Sequence, residues 1–513
     1  MAVKVIIKKN SYYDSVTLMS LSGKIQQQEG INEAIVSMAT AMNKELLENV
    51  GMMTEEVNEA SESDLIIAVK AEDESLLEET IELIQEQLTS KKNTKKGGGA
   101  KRVKTINAAV AEMPEANMAV ISVPGEFAAR EARQALEQGM HVMLFSDNVS
   151  IEDEKFLKDY ASERGLFVMG PDCGTAIINH SGLCFANEVK RGNIGLVGAS
   201  GTGLQEVTVQ INRLGYGISQ AIGTGGRDLQ ESIGGTMMLQ GVNALLNDDA
   251  TNVIVLISKP PAPVVQEKIL AVVKESAKPV VVCFIDGEAS EAEKAGAVFA
   301  STLFEAAKAA VKLSDPEFSI QKETDVRHDK WLLETKAQLA ASQQFVRGLF
   351  CGGTLTAESL AILRRYTSNL KSNVAKKKEE KLQDPTTSSG NTLLDLGDDV
   401  FTVGRPHPMI EPSLRNKRII QEAADPATAV LLLDFELGYG SHEDPVGETI
   451  ETIKKAQVLA EKDNRHLPVI AYILGTPLDK QQYEQQERML SEAGVFVARS
   501  NEEATLLAAA LIR

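Results

Sequence analysis

The sequence predicts an α/β protein in which doubly wound parallel sheets follow a small α+β N-terminal module. Three observations carry that class. Apolar strands alternate with helical stretches in βαβ order from Val103 onward. Those strands are apolar throughout, as in Ile194–Val197 and Val253–Ser258, which suits sheets covered on both faces. At 513 residues the chain is too long for one core, so several domains are expected.

Taken in order, Val3–Lys8 and Asp64–Lys70 read as strands, and Ser75–Leu88 places Leu76, Leu77, Ile81, Ile84 and Leu88 at helical spacing. Residues 1–90 therefore form the α+β module. Ser90–Ala100 is basic and then glycine-rich and reads as a solvated linker, as does Lys376–Gly390. Residues 101–190 form a Rossmann-like domain, with strands Met118–Val123, His141–Phe145 and Leu166–Met169 between helices Glu126–Glu137 and Ile151–Glu163. Residues 191–325 form a flavodoxin-like domain on strands Ile194–Val197, Ile218–Ile222, Val253–Ser258 and Val280–Ile285. Trp331 then reads as a domain-interface anchor rather than part of a ligand pocket. Residues 335–513 repeat the flavodoxin-like pattern with strands Val346–Cys351, Ala429–Phe435, Val469–Leu474 and Val495–Ala498. GLFCGGTLTAESLAIL from Gly348 echoes GLVGASGTGLQEVTV from Gly195, which points to internal duplication.

A formal net charge of -19 repels polyanions over most of the surface, so nucleic acid is not expected as a partner. Cys173, Cys184, Cys283 and Cys351 form no CxxC pair, and the histidines His141, His180, His328 and His466 stand singly. Neither a metal site nor a disulfide framework is expected. Reduced thiols and the lack of an apolar run of ~18 residues suggest a cytoplasmic chain that does not enter a membrane.

The segment from Asn193 to Gly215, NIGLVGASGTGLQEVTVQINRLG, is the most informative. An apolar strand leads through a glycine-rich turn into a helix opened by Ser200, Gly201, Thr202 and Gly203. Unpaired amides and aligned peptide dipoles at such a helix start attract phosphate or carboxylate, and glycines permit close approach. A tight strand-to-helix turn without a ligand is the alternative reading.

Several motifs in fixed order resemble a known family. GPDCG (Gly170–Gly174), GNIGLVGASGTGLQE and IGTGGRD (Ile222–Asp228) resemble the α subunit of succinyl-CoA synthetase. FTVGRPHPMIEP (Phe401–Pro412) and LLLDFELGYGSHEDP (Leu431–Pro445) resemble the carboxylate domain of that enzyme's β subunit. Fused in this order over residues 103–513, they resemble the FdrA family. The resemblance implies a CoA-binding-like Rossmann domain followed by the two flavodoxin-like domains. It also implies two helix N-termini converging on a phosphoryl group, here the helix after Ser200–Gly203 and the one after Gly438–His442, with Gly438, Gly440 and His442 near the anion. His442 either contacts that anion or neighbours a cap.

Departures from the synthetase pattern narrow the function. Lys294, in EKAGA, stands where the synthetase carries its phosphorylated histidine, so no phosphohistidine forms there. Lys294 either offers charge to an anionic substrate or is a solvated lysine. The glycine-rich CoA loop has no counterpart between Lys101 and Val123, which puts CoA in doubt, and no segment resembles an ATP-grasp domain. No cofactor is evident; the expected ligand is phosphate or carbamoyl phosphate.

Family resemblance implies carbamoyl transfer in allantoin and purine catabolism, interconverting carbamoyl phosphate and oxamate with oxalurate and phosphate. It also implies small anionic substrates and separately encoded partner subunits, a homo-oligomer, or both. Ser200, Gly201, Thr202 and Gly203 are placed on the phosphate, with Gly225 and Gly226 closing the wall. Arg405 either forks a carboxylate or makes a surface ion pair. His407 either serves the carbonyl and moves a proton near neutral pH or is a turn residue between Pro406 and Pro408. Cys173 is a remote candidate nucleophile, and Glu411 and Asp434 are candidate bases. The alternatives are an ADP-forming acyl-CoA synthetase of the succinyl-CoA ligase type and a non-catalytic anion-binding scaffold or regulator.

Overall fold

The computed structural model describes residues 2–513 apart from 10, 12, 14, 27, 29, 41, 42, 45, 46, 49, 62, 63, 95–102, 320–325 and 403–405. It divides into two compact units: Met1–Arg102 with Asp399–Ser413, and Val103–Asp398 with Leu414–Arg513.

The smaller unit is built on three antiparallel strands, β1 (Ala2–Lys8), β2 (Ile31–Met38) and β3 (Leu65–Ala71), in the order β1-β3-β2. Alternation along β3 sends Leu65, Ile67, Val69 and Ala71 to one hydrophobic cluster with Leu77, Ile81, Ile84 and Leu88. Ile66 and Ala68 go to the other face, where Leu47, Met52 and Val57 cover them. Helix Glu74–Thr94 continues into the segment read as a linker. The rest of that linker lies outside the described residues. Asp399–Ser413, expected in the C-terminal domain, belongs to this unit instead.

In the larger unit, β4 (Met118–Ile121), β5 (His141–Leu144) and β6 (Val168–Met169) make a three-stranded parallel sheet. The hairpin β7 (Thr175–Ile178) and β8 (Ser181–Cys184) does not join it. Those strands extend the next sheet, with β9 (Arg191–Gly198), β10 (Ile218–Gly223), β11 (Val253–Ser258), β12 (Val280–Phe284) and β13 (Val298–Phe299), in the order β13-β12-β11-β9-β10-β7-β8. A fourth sheet, parallel throughout, holds β14 (Phe345–Phe350), β15 (Leu370–Ser372), β16 (Asn391–Asp395), β17 (Thr428–Glu436), β18 (Val469–Leu474) and β19 (Phe496–Ala498), in the order β15-β16-β14-β17-β18-β19. Lys376–Gly390 is a mostly exposed loop, as expected, pinned at one point where buried Glu380 accepts from Arg364 Nε and Nη2 at 2.7 Å each.

One continuous apolar core joins the third and fourth sheets through helices Gly201–Arg213 and Gly353–Leu363. Each helix also carries a buried acid that crosses to the other domain. Glu358 accepts the amide of Leu303 at 2.6 Å, the first residue of the last helix of the third-sheet domain, and the Asn501 side chain at 2.7 Å. Glu206 accepts Tyr472 Oη at 2.5 Å and the amide of Asn501, which opens the last helix of the fourth-sheet domain. Burial pushes Glu358 up to about 8 and raises Glu206 as well. The duplication read from the sequence thus reaches to matched acids, each five residues beyond its turn glycine.

Candidate anion site at two helix tips

Two strand-to-helix turns meet between these sheets. β9 passes through Ala199 and Ser200 into helix Gly201–Arg213, and β14 passes through Cys351 and Gly352 into helix Gly353–Leu363. Their tips touch. Ser200 Oγ and Thr354 Oγ1 are 2.5 Å apart, and the Thr354 amide reaches Thr202 Oγ1 at 3.4 Å. Ser200 caps its own helix by accepting from the Gly203 amide at 2.9 Å. The amides of Gly201 and Thr202 have no partner among the described residues. An added Cβ at Gly201 would sit in ordinary contact with Thr175 Oγ1 at 3.6 Å and with Gly174 at 3.7 Å, so the first tip is lined by the β7 turn.

The second tip is already ringed by acids. Asp434 accepts the Cys351 amide at 2.8 Å and the Gly352 amide at 2.9 Å. Arg415 donates to the Asp434 main-chain carbonyl and to Cys351 Sγ at 3.0 Å. Asp395 lies against Gly353, where a Cβ would fall 2.4 Å from Oδ2. Glu436 Oε1 is buried without a hydrogen-bond partner and lies 3.2 Å from the matching point on Gly352, which is also 3.0 Å from Thr202 Cγ2. A side chain at either glycine would fill the space between the tips and these carboxyls.

Strand register makes the two turns comparable residue by residue. Leu256 and Ile257 of β11 pair with Val197 and Gly198, as Leu432 and Leu433 of β17 pair with Gly348 and Leu349. Counted from Gly201 and Gly353, Asp434 stands where the first sheet has Ile257, and Glu436 where it has Lys259. On the other neighbour, Asp395 pairs with Phe350 as Gly223 pairs with Gly198.

Burial pushes Asp395 up to about 7 against the pull of the nearby Lys259 ammonium. Burial, and after it the charge of Asp434, push Glu436 well above the ordinary carboxylate range. Cys351, Asp434 and Glu436 place three potential ligand atoms within 4.8 Å of one another, a spacing that a cation can use. Arg415 already supplies positive charge there. A separate groove of about 500 Å³, lined by Lys190, Arg191, Tyr216 and Ser314, opens where β9 begins, away from both tips.

Comparison with known proteins gives these turns a context. Family models match residues 1–105 (AllF, heavy metal-associated domain), 189–286 (CoA binding domain) and 349–511 (CoA-ligase). The YahF protein of Escherichia coli strain K12 is 49% identical over 514 aligned positions, covering 99% of this chain and 98% of YahF. The chain belongs to the FdrA family. Subunit alpha 2 of the ADP-forming succinate–CoA ligase of Archaeoglobus fulgidus is 30% identical over 149 residues, and this FdrA chain spans 50% of its length. The crystal structure of PH0766 from Pyrococcus horikoshii OT3 aligns over 81% of this chain and 87% of its own at 16% identity, with a TM-score of 0.34.

Within the FdrA chain, Ser200, Gly201, Thr202 and Gly203 form the first tip as expected from the sequence. The helix facing them is not the one after Gly438–His442. That helix begins only at Gly447, because the loop before it packs on the segment after β8. Tyr439 donates its amide to the Ala186 carbonyl, and a Cβ at Gly438 or Gly440 would strike the carbonyls of Phe185 or Cys184. His442 Nδ1 accepts the Asp444 amide at 3.0 Å, the local cap neighbour of its two readings. Gly225, at φ +84°, presses on the Pro171 carbonyl, while Gly226 is exposed with open space around it.

Lys294 is exposed and paired with Glu291 at 2.6 Å, the solvated reading. Burial pushes the Cys173 thiol up to about 12, which leaves no thiolate for attack. Arg405 lies outside the described residues. His407 belongs to the smaller unit, where Nδ1 accepts the Met409 amide at 3.2 Å and burial lowers its pKa to about 4. It is therefore a neutral imidazole at neutral pH. Glu411 holds the Ser413 amide at 3.1 Å as a loop carboxylate. Asp434, read as a possible base, is spent on backbone amides. Asp395, Glu436 and Lys259 were missed, since each sits at a strand end whose register the one-dimensional pattern does not display.

Proposed function

We propose that this chain is the phosphate-binding subunit of an FdrA-type carbamoyltransferase, interconverting carbamoyl phosphate plus oxamate with oxalurate plus phosphate in allantoin breakdown. One observation carries the reading: a tip with free amides at Gly201 and Thr202 faces a tip lined by carboxyls, one of which, Asp395, lies within reach of the Lys259 charge. Phosphate takes the first tip, where the free amides and the helix dipole favour an anion. In the forward step the amide nitrogen of oxamate attacks the carbamoyl carbon, a C–N bond forms, and the C–O bond to phosphate breaks. Asp395 takes the amide proton, its raised pKa matching a base that works near neutrality. Protonated Glu436 donates to oxygen at the tips, where charge develops on the leaving phosphate. Neither a covalent intermediate nor a phosphohistidine enters this path, in keeping with Lys294 at the position of the synthetase histidine. The AllF model match over residues 1–105 supports the pathway.

The purified chain, alone and with products of neighbouring genes, is to be given oxalurate and phosphate and assayed for carbamoyl phosphate. Failure in every combination overturns the reading. A second reading, an acid–thiol ligase, is favoured by the CoA-binding and CoA-ligase matches. Thioester formed from succinate, CoA and ATP by the same complexes would establish it in place of the first.

A further inference from the structure

The N-terminal match is to a heavy metal-associated domain, yet residues 1–105 contain neither cysteine nor histidine, the side chains that soft and borderline metals select. Among the methionines with described side chains, Met53 packs on the same cluster as Met52, and Met38 lies apart from both. Met38 is buried in the cluster on one face of the three-stranded sheet and Met52 in the cluster on the opposite face, so the two sulfurs do not share a site. The residues present do not fit a heavy metal.

What the module holds instead is part of its own chain. Residues Asp399–Ser413 leave the C-terminal domain in sequence but pack with Met1–Arg102 as one compact unit. Helix Ser15–Gln26 meets this segment at Gly23, where an added Cβ would lie 3.7 Å from Glu411 Oε1 and 3.9 Å from Glu411 Cδ, an ordinary contact distance that leaves no room for a larger group. Within the segment Met409 is 6% exposed, the turn closes through the Ile410 amide on the His407 carbonyl at 2.8 Å, and half-buried His407 accepts the Met409 amide on Nδ1 at 3.2 Å.

We infer that the N-terminal module is an intramolecular clamp for the His407 segment, Asp399–Ser413, and not a metal carrier. The module has kept a sheet with both faces covered and has exchanged a metal for a peptide of its own chain. This inference stands on the smaller unit alone and is independent of the reaction proposed above.

Amide hydrogen exchange on the full chain tests it. In the unmodified protein, peptides spanning 406–413 are expected to exchange with the slow rates of β1–β3, and added zinc(II) or copper(I) leaves residues 1–102 unchanged. Gly23→Trp, which drives an indole into Glu411, is expected to speed exchange in 406–413 by at least about tenfold while helix Gly201–Arg213 keeps its protection. Gly23→Ala, which fits the available space, should leave the segment as it was. If Gly23→Trp unfolds the whole module, the segment must lose protection with it. Retained protection of 406–413 in either case overturns the clamp, and metal-dependent protection confined to residues 1–102 overturns the exclusion of metal.

Discussion

The two helix tips share a backbone and oppose each other chemically. The first offers free amides and a serine cap; the second, equivalent in register, offers Asp395, Asp434 and Glu436 around amides already spent on Asp434. The scaffold is shared, and three register positions set the carboxyls that distinguish the second tip. Where the resemblance implies a symmetric grip on phosphate, the structure has one tip with free amides and one whose amides are taken by Asp434.

The comparison can be broken most severely at Asp434. Asp434→Ala strips the acceptor from two backbone amides and leaves Arg415 buried without its carboxylate, with an expected loss of about 3–5 kcal/mol by chemical denaturation. A loss under about 1 kcal/mol would mean that the second tip does not depend on its internal anion. Next comes Asp395→Asn, expected to lower turnover by about a hundredfold or more. Because the base works only when ionised, activity of the unmodified protein should rise as pH passes through about 7, and the Asn variant should lose that limb. A limb that survives would place the base elsewhere.

Lys259→Met removes the cation that stands at the register position of Glu436 and acts on Asp395. Phosphate affinity by calorimetry should fall about tenfold, roughly 1.4 kcal/mol, and Lys259→Glu, which copies the second tip, should abolish binding. Unchanged affinity would locate the phosphate outside the first tip. The mildest change is Ser200→Ala, which costs a cap worth about 1 kcal/mol in thermal or denaturant unfolding.

Much of this architecture was legible in the sequence because buried parallel strands announce themselves as uninterrupted apolar runs, and because Ser200–Gly203 combines turn and cap residues. The hairpin at Thr175–Cys184 was not, since short strands carry too little pattern to say which sheet they join. Nor was the facing helix: CGGT at Cys351–Thr354 had been matched to the first turn as an echo, while the longer glycine-rich loop at Gly438–His442 drew attention as the anion partner. GRPHP read as part of the C-terminal domain because it lies within that stretch of chain, whereas packing assigns it to the N-terminal module. Raised acidity constants at Asp395 and Glu436 come from burial by elements far apart in sequence, which no local motif encodes.

Glu206 and Glu358 each reach out of their own domain to bind the opening amide of the other's last helix. Either half expressed without its counterpart would strand one of these acids and one of these helix starts against water. Carrying both halves on one polypeptide keeps the counterpart always within reach, at an effective concentration on the order of millimolar for a flexible tether. Enzymes that place comparable halves on separate subunits must find that pairing by collision; here translation delivers it.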